Sequence, residues 1–580
     1  MKDCKLVTII SFLILIIFTS PIFASVIVNT SRGKVRGFET NSILNGTKYY
    51  SFLGIPYAKP PIKNLRFQPP IPVEKWEGIL NKTKVENVCP QIKITHNRVS
   101  VTGDEDCLYL NIYTPQPPVE IKIPKAVMVW FHGGGFQFGA VSQQFGSPDY
   151  LINYDVILVT FHYRLHALGF LNLGIQNASG NYGLKDQLLA LKWIQQNIRE
   201  FGGDPKKVTI FGLSAGGASV QFQTLSPLSK GLFQRAIVQS AHVLSQWTFN
   251  PKPVEWGFLL ANLLGFEGKD SEDVVDFLKK QPADSITYAV HKLQQRHANE
   301  YHQPAFLIFV PSVEIIKENA FLPDIPENLI KIVENIPLMI GFVEHEGDLE
   351  LSEPRNKSET GKDFISIIKY SFDGIDESRL DYIASKVKKF YIGDKEIVAD
   401  MRLELLKIWD DIAILRFYET IEKLSDSSSP PYVYKFVYEG SLHWKKLTSS
   451  KLKEINIQGP THADEIFYLF YLPSMFSTIP SVKPNDLQVI HRICSLWTNF
   501  AKTGDPTYNM DVKWRPSTNN KPAYLEISLD LKLVEGKICE RGNSFWVELF
   551  KSESLPIRNS EYLYNISKFN EKILTNPITR

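Results

Sequence analysis

The chain has 580 residues, 44% of them hydrophobic and 12% aromatic, enough to bury a large core. Its 64 lysines and arginines almost balance 62 aspartates and glutamates. No overall charge therefore draws it to nucleic acid, and the expected partner is a small molecule, neutral or modestly charged.

The first residues, MKDCKLVTIISFLILIIFTSPIFAS, join a basic start at Lys2 and Lys5 to an apolar run from Val7 to Phe18 and a small-residue end. This layout predicts a secretory signal cut after Ala24. An uncleaved signal anchor is the alternative, because Ile22 is a mediocre residue at the −3 position. No later segment approaches a membrane span, and the tail NEKILTNPITR has neither a GPI-type end nor an ER-retention tetrapeptide. The expectation is a signal peptide over 1–24, a single catalytic domain over 25–555 and a tail over 556–580, with the mature chain soluble and exported.

Six Asn-x-Ser/Thr sequons, at Asn29, Asn45, Asn81, Asn177, Asn356 and Asn565, offer surface glycosylation sites. Once Cys4 leaves with the signal, Cys89, Cys107, Cys494 and Cys539 remain. Cys89–Cys107 is the expected bridge, closing a short polar loop. Cys494 reads equally as a buried free thiol and as a partner of Cys539.

Farther along, KAVMVWFHGGGF (125–136) and YDVILVTFHYRL (154–165) are nearly continuous apolar runs that predict buried strands. GLKDQLLALKWIQQNIREFGG (183–203) repeats Leu188, Leu191, Ile194 and Ile198 at helical spacing and stops at Gly202-Gly203. A strand over 208–211, a helix from about Ala215, strands at 336–342 and 432–440 and a helix over 487–504 complete the rhythm. Strand and helix in alternation predict an α/β fold with a large, mostly parallel twisted sheet, and helical insertions between about 230 and 430.

The chemistry concentrates in three places. In VTIFGLSAGGASV, Ser214 stands between Gly212 and Gly216 at a sharp strand-to-helix turn, which would present its hydroxyl at the sheet's carboxyl edge. In HGGGF, three glycines let backbone N–H groups face inward, so Gly134 and Gly135, with Ala215, are candidate oxyanion donors. No Walker lysine follows, which disfavours a phosphate cradle. GPTHADEIFYLF offers His462 as a base, and IGFVEHEGDL offers Glu344, Glu346 or Asp348 as the acid. Serine, acid, histidine is the chain order of the α/β-hydrolase fold. His291, His297 and His302 read as solvated and poorly spaced for a metal. No metal and no cofactor is expected.

The segments FLGIPYAKPP with LRFQPP, EDCLYLNIYTP, HGGGF, YGLKDQLLALKWIQQNIREFGGDPKKVTIFG, SAGGASV, THADE and NFAKTGDP together resemble the type-B carboxylesterase family, the cholinesterase-like α/β hydrolases, from about residue 26 to 550. The spellings look most like insect members. The resemblance implies Ser214 as nucleophile, Glu346 rather than its neighbours as acid, and His462 as base. It also implies the Cys89–Cys107 disulfide and ion pairs Arg66–Glu105 and Arg164–Asp186. Trp247 resembles the family's acyl-pocket tryptophan, and Leu213 and Phe136 join it as candidate substrate-pocket residues.

Two departures shape the functional reading. Leu213 occupies the place where the family usually has glutamate, and the Cys89–Cys107 loop holds no aromatic residue for cation–π attraction to choline. A cholinesterase is therefore not expected. Ala241-His242 stands where the family tends to have Gly-Ser, and the basic stretch LHWKKLTSSKLKE (442–454) reads as a solvated loop. The expectation is a secreted serine carboxylesterase favouring neutral apolar esters, with juvenile-hormone esterase or lipase as alternatives among enzymes. A catalytically silent, cholinesterase-like adhesion protein is the rival of another class. The sequence carries no sign of oligomeric state.

Overall fold

In chain order the strands are β1 (Ser25–Asn29), β2 (Lys34–Asn41), β3 (Lys48–Pro56), β4 (Ile79–Leu80), β5 (Gln91–Thr95), β6 (Arg98–Thr102), β7 (Tyr109–Thr114), β8 (Lys125–Phe131), β9 (Ile157–Phe161), β10 (Asn172–Ile175) and β11 (Ala178–Ser179). They continue with β12 (Gly203–Leu213), β13 (Arg235–Gln239), β14 (Leu338–Val343), β15 (Tyr432–Phe436), β16 (Ala523–Ile527) and β17 (Leu531–Glu535). This computed structural model describes residues 25–553 apart from 82–86, 96–97, 119–120, 122, 142–145, 302–306, 317, 331–335, 348–356, 372–376, 399–400, 444–456, 474–481 and 539. The predicted signal peptide, the 556–580 tail, Asn356, Asn565, Cys539, Asp348, His302 and most of the 442–454 loop lie outside the described residues.

The large sheet runs β1-β2-β3-β7-β9-β8-β12-β13-β14-β15-β16-β17, with β4 paired to β2. Every neighbouring pair from β9 to β16 is parallel, and antiparallel pairs close both ends. Both faces are buried, which is why these strands read as continuous apolar runs. On β8 and β12, Val127, Val129, Val208 and Ile210 join one core, beneath the helices Tyr182–Asn197 and Ala215–Leu225. Met128, Trp130, Phe211 and Leu213 point to the other face and meet the helix Pro484–Thr503. A third core lies among the inserted helices Lys357–Ser371, Glu377–Tyr391 and Arg402–Ser425 and the late helix Glu540–Ser552.

Several elements differ in length from the sequence reading. β8 ends at Phe131, not Phe136, because Gly134, Gly135 and Phe136 adopt φ of 111°, 60° and 61°, a left-handed conformation that no strand accommodates. β9 ends at Phe161, since the backbone N–H of Arg164 donates to the Asp186 carboxylate instead of a sheet neighbour. β12 is longer than expected and β15 stops at Phe436.

Two ion pairs and a disulfide tie the loops above the sheet. Arg164 holds Asp186 in a two-pronged pair (Nε–Oδ2 2.8 Å, Nη2–Oδ1 2.7 Å) and donates to Gln68 O. Arg66 grips Glu105 and also donates to the carbonyls of Leu278, Lys279 and Gln281, closing the end of the helix Ser271–Lys280. Cys89 and Cys107 are bonded, and Cys494 is a buried free thiol. His297 departs from the expected solvated state: it is buried against Trp256, 5.4 Å between ring centroids, and burial pushes its pKa down to about 3. Its helix, Ala283–Tyr301, packs inward at that turn.

Glycine substitutions separate close packing from mere flexibility. A Cβ on Gly216 would lie 2.0 Å from Phe131 O, whereas one on Gly361, inside the helix Lys357–Ser371, meets nothing within 4 Å. Gly216→Ala is expected to lower stability by about 2 kcal/mol or more, and Gly361→Ala to raise it by about 0.5–1 kcal/mol. Denaturant melts of both variants test the difference; equal effects would contradict the packing described.

Candidate active site

Ser214 sits between the last residue of β12 and the first of the Ala215–Leu225 helix with φ 56° and ψ −126°. A non-glycine residue pays strain for that conformation. Its surroundings over-determine it: Ser214 N–H donates to Gln239 O on β13 (2.9 Å), and Ser214 O accepts from Ala218 N–H (2.9 Å). Close approach of three backbones leaves room only for hydrogens at the flanking positions. A Cβ on Gly212 would fall 2.6 Å from the Gly216 carbonyl carbon and oxygen.

The glycine loop after β8 presses on the same turn. A Cβ on Gly133 would be 2.8 Å from Leu213 O and 3.3 Å from the Ser214 Cβ, and one on Gly134 would be 2.0 Å from Phe138 O. Gly134 O accepts N–H groups from Gln137 and Phe138, which folds the loop back on itself. Beneath it, His132 stacks on Tyr163 at 4.3 Å, and Nδ1 bonds Gly133 O at 2.9 Å. Burial pushes the His132 pKa down to about 4, so its imidazole is neutral near pH 7 and Nδ1 is the donor. Ala215, the first residue of its helix, has a backbone N–H without an intrahelical acceptor. Gly133, Gly134, Gly135 and Ser214 line one cavity.

The residues expected as acid and base arrive from two loops. After β14, Glu344 turns to Lys435 on β15 (2.8 Å), while Glu346 turns into the site. Its Oε1 accepts the Val343 N–H (2.9 Å) and its Oε2 takes His462 Nδ1 (2.6 Å). Nδ1 thus carries the hydrogen, and Nε2 is the basic nitrogen of the neutral ring. His462 follows Thr461, whose N–H and hydroxyl both donate to Asp464 Oδ2. Ser214, Glu346 and His462, distant in sequence, line the same cavity.

That cavity encloses about 630 Å³. Trp130, Leu213, Trp247, Phe342, Phe417 and Phe470 give it apolar walls, and Glu346 is its single carboxylate among the described lining residues. Phe136, expected on the wall, lies behind it. Fully buried, Phe136 packs on Phe170 (5.1 Å) and backs Trp247 (6.4 Å), because its positive φ swings the ring beneath the loop. His242 does reach the wall, its ring nitrogens bonded to the hydroxyls of Ser245 (2.9 Å) and Thr420 (3.3 Å).

Sequence reasoning missed Glu465, three residues after His462. It is fully buried, with Oε1 accepting from Ser240 Oγ (3.2 Å) and Gln239 Nε2 (3.5 Å). Burial first, and the nearby Glu346 charge second, push its pKa up to about 7. The carboxylate spacing in THADE was the available signal, but spacing alone does not reveal burial.

The strand order and the turn at Ser214 define the α/β-hydrolase fold. The carboxylesterase family model matches residues 24–546, and the chain belongs to that family. Esterase E4 of Myzus persicae is 35% identical over 83% of this chain and 87% of its own length. Juvenile hormone esterase of Tribolium castaneum is 34% identical over 88% of each chain. Human neuroligin-2 is 32% identical over 90% of this chain and 67% of its own.

Glu465 yields a pH prediction. Its folded pKa lies above the ordinary carboxyl value, so the native state holds the proton more tightly and stability is lost as pH rises from 4.5 to about 7. The full loss is on the order of 3 kcal/mol. Wild type should therefore lose melting temperature relative to Glu465→Gln across that window. A constant gap between the two proteins would contradict the assignment.

Proposed function

We propose that the chain is a secreted serine carboxylesterase that hydrolyses neutral, apolar esters through an acyl-enzyme. The observation that carries this reading is the Glu346–His462 hydrogen bond in the cavity that also holds Ser214 and the glycine loop. His462 Nε2 takes the Ser214 proton as the hydroxyl attacks the ester carbonyl. Glu346 fixes the ring tautomer and supports the imidazolium that forms. Gly134, Gly135 and Ala215 N–H groups receive the oxyanion. His462 then protonates the departing alcohol, and water activated by the same base releases the acid.

The apolar walls favour neutral substrates, and Leu213 removes a negative charge where a cationic group would otherwise be attracted. Export is supported by the predicted signal, the Cys89–Cys107 disulfide and the exposure of Asn29, Asn45, Asn81 and Asn177. No helix among the described residues is long and apolar enough to cross a membrane. Similarity to neuroligin-2 supports a second reading, a fold kept for binding without turnover.

Purified chain should hydrolyse short aryl esters and take up a fluorophosphonate probe, and Ser214→Ala should lose both, with turnover down by at least about a thousandfold. Neither labelling nor hydrolysis by a well-folded protein would favour the binding reading. Leu213→Glu is expected to raise kcat/KM for a cationic ester relative to its neutral isostere. An unchanged ratio would mean that Leu213 does not set charge preference.

A further inference from the structure

His345, between the two glutamates that follow β14, is bonded on every side. Its backbone N–H donates to Pro460 O (3.1 Å), and it forms an isolated parallel bridge with Thr461. Its Nε2 meets Gln458 O at 2.8 Å, and its Nδ1 meets Asp410 Oδ2 at 2.8 Å. Asp410 belongs to the Arg402–Ser425 helix, and its other oxygen accepts the Gly347 N–H at 2.8 Å. One side chain thus staples the loop that carries Glu346, the loop that carries His462 and an inserted helix.

The chemistry of the partners fixes the proton count. A carbonyl only accepts, so Nε2 must carry hydrogen, and the contact between Nδ1 and the Asp410 carboxyl needs a second proton between them. With that proton, the contact is a charge-assisted hydrogen bond. Without it, a nitrogen lone pair faces a carboxylate and the staple opens. The side chain is 20% exposed, so the proton has a path to water.

Other charged groups surround this contact. Glu344 lies beside the ring but is paired with Lys435, and Glu439 accepts the Gly459 N–H at 2.6 Å. Glu346 and His462, paired with each other, belong to the same two loops, and the Glu346 charge also acts on Asp410. Burial acts to lower the His345 pKa, yet the Asp410 bond and charge, the Gln458 carbonyl and Glu344 outweigh it, and the net direction is upward. The charged staple therefore persists to higher pH than a free imidazole would allow and is lost as pH rises through the His345 titration.

We propose that His345 is a positioning residue whose protonated ring holds Glu346 and His462 in register, so that turnover falls when that proton leaves. The inference rests on the esterase reading above for its kinetic consequence, but the staple itself does not.

The test compares wild type, His345→Ala and His345→Asn, following kcat, KM and melting temperature across pH with a neutral aryl ester. Asparagine places a non-titrating N–H toward Asp410. Wild type should show a limb of falling turnover as pH rises through the His345 titration. His345→Ala should lose about ten- to a hundredfold in kcat, the scale expected of misplaced catalytic groups, with KM little changed. His345→Asn should recover most of that loss and lack the falling limb. In the melts, wild type should lead His345→Asn at low pH and lose the lead as pH rises through the His345 titration. A falling limb retained in His345→Asn, or an unchanged kcat in His345→Ala, would overturn the proposal. If wild type turned over no ester, the esterase reading would fail, and the melts would still decide: a closing gap supports the staple, a constant gap overturns it.

Discussion

Everything at the site depends on three backbones meeting closer than side chains permit. The end of β8, the end of β12 and the start of the Ala215–Leu225 helix converge so tightly that added Cβ atoms at Gly212, Gly216 or Gly133 would fall within 3 Å of main-chain atoms. That convergence holds Ser214 at φ 56°, a conformation a serine adopts only where its neighbours forbid relaxation. The strain is local, and the parallel pairing of β12 with both β8 and β13 sustains it.

Around this rigid centre, charge is arranged sparingly. Glu346 spends one oxygen on its own strand's N–H and the other on His462, so its charge is directed at the imidazole. The remaining walls are aromatic and aliphatic, a low-dielectric setting in which few polar groups act strongly. Two titratable groups border the pair: Glu465, three residues past His462 and pressed toward neutrality by burial, and His345, in the loop after β14 and bonded to Asp410 of the inserted helix. Family membership fits this arrangement with ester chemistry, while Leu213 and His242 give the cavity a composition of its own.

Much of this was legible in the amino-acid order. Apolar runs without alternation marked the buried parallel strands, and Gly-x-Ser-x-Gly after such a run marked the elbow. Hydropathy extends the strand through the glycine run to Phe136, because it does not register the positive φ that ends β8 at Phe131. Preferring Glu346 to Glu344 as the acid rests on a family resemblance; in the structure Glu344 pairs with Lys435, a residue about ninety positions away that no local pattern connects to the loop, while Glu346 meets His462. Phe136, His297, Glu465 and His345 owe their surroundings to long-range packing. A polar residue's burial is set by what folds over it, and one sequence does not display that.

If Ser214 carries the acyl group during turnover, that adduct can be trapped. Wild-type protein would be quenched in acid within the first turnovers of an aryl ester, and its peptides weighed by mass spectrometry. One acyl group per chain is expected, on the peptide containing Ser214, forming as a burst of phenol is released. Turnover with no adduct on that peptide, or with an adduct on another residue, would contradict it.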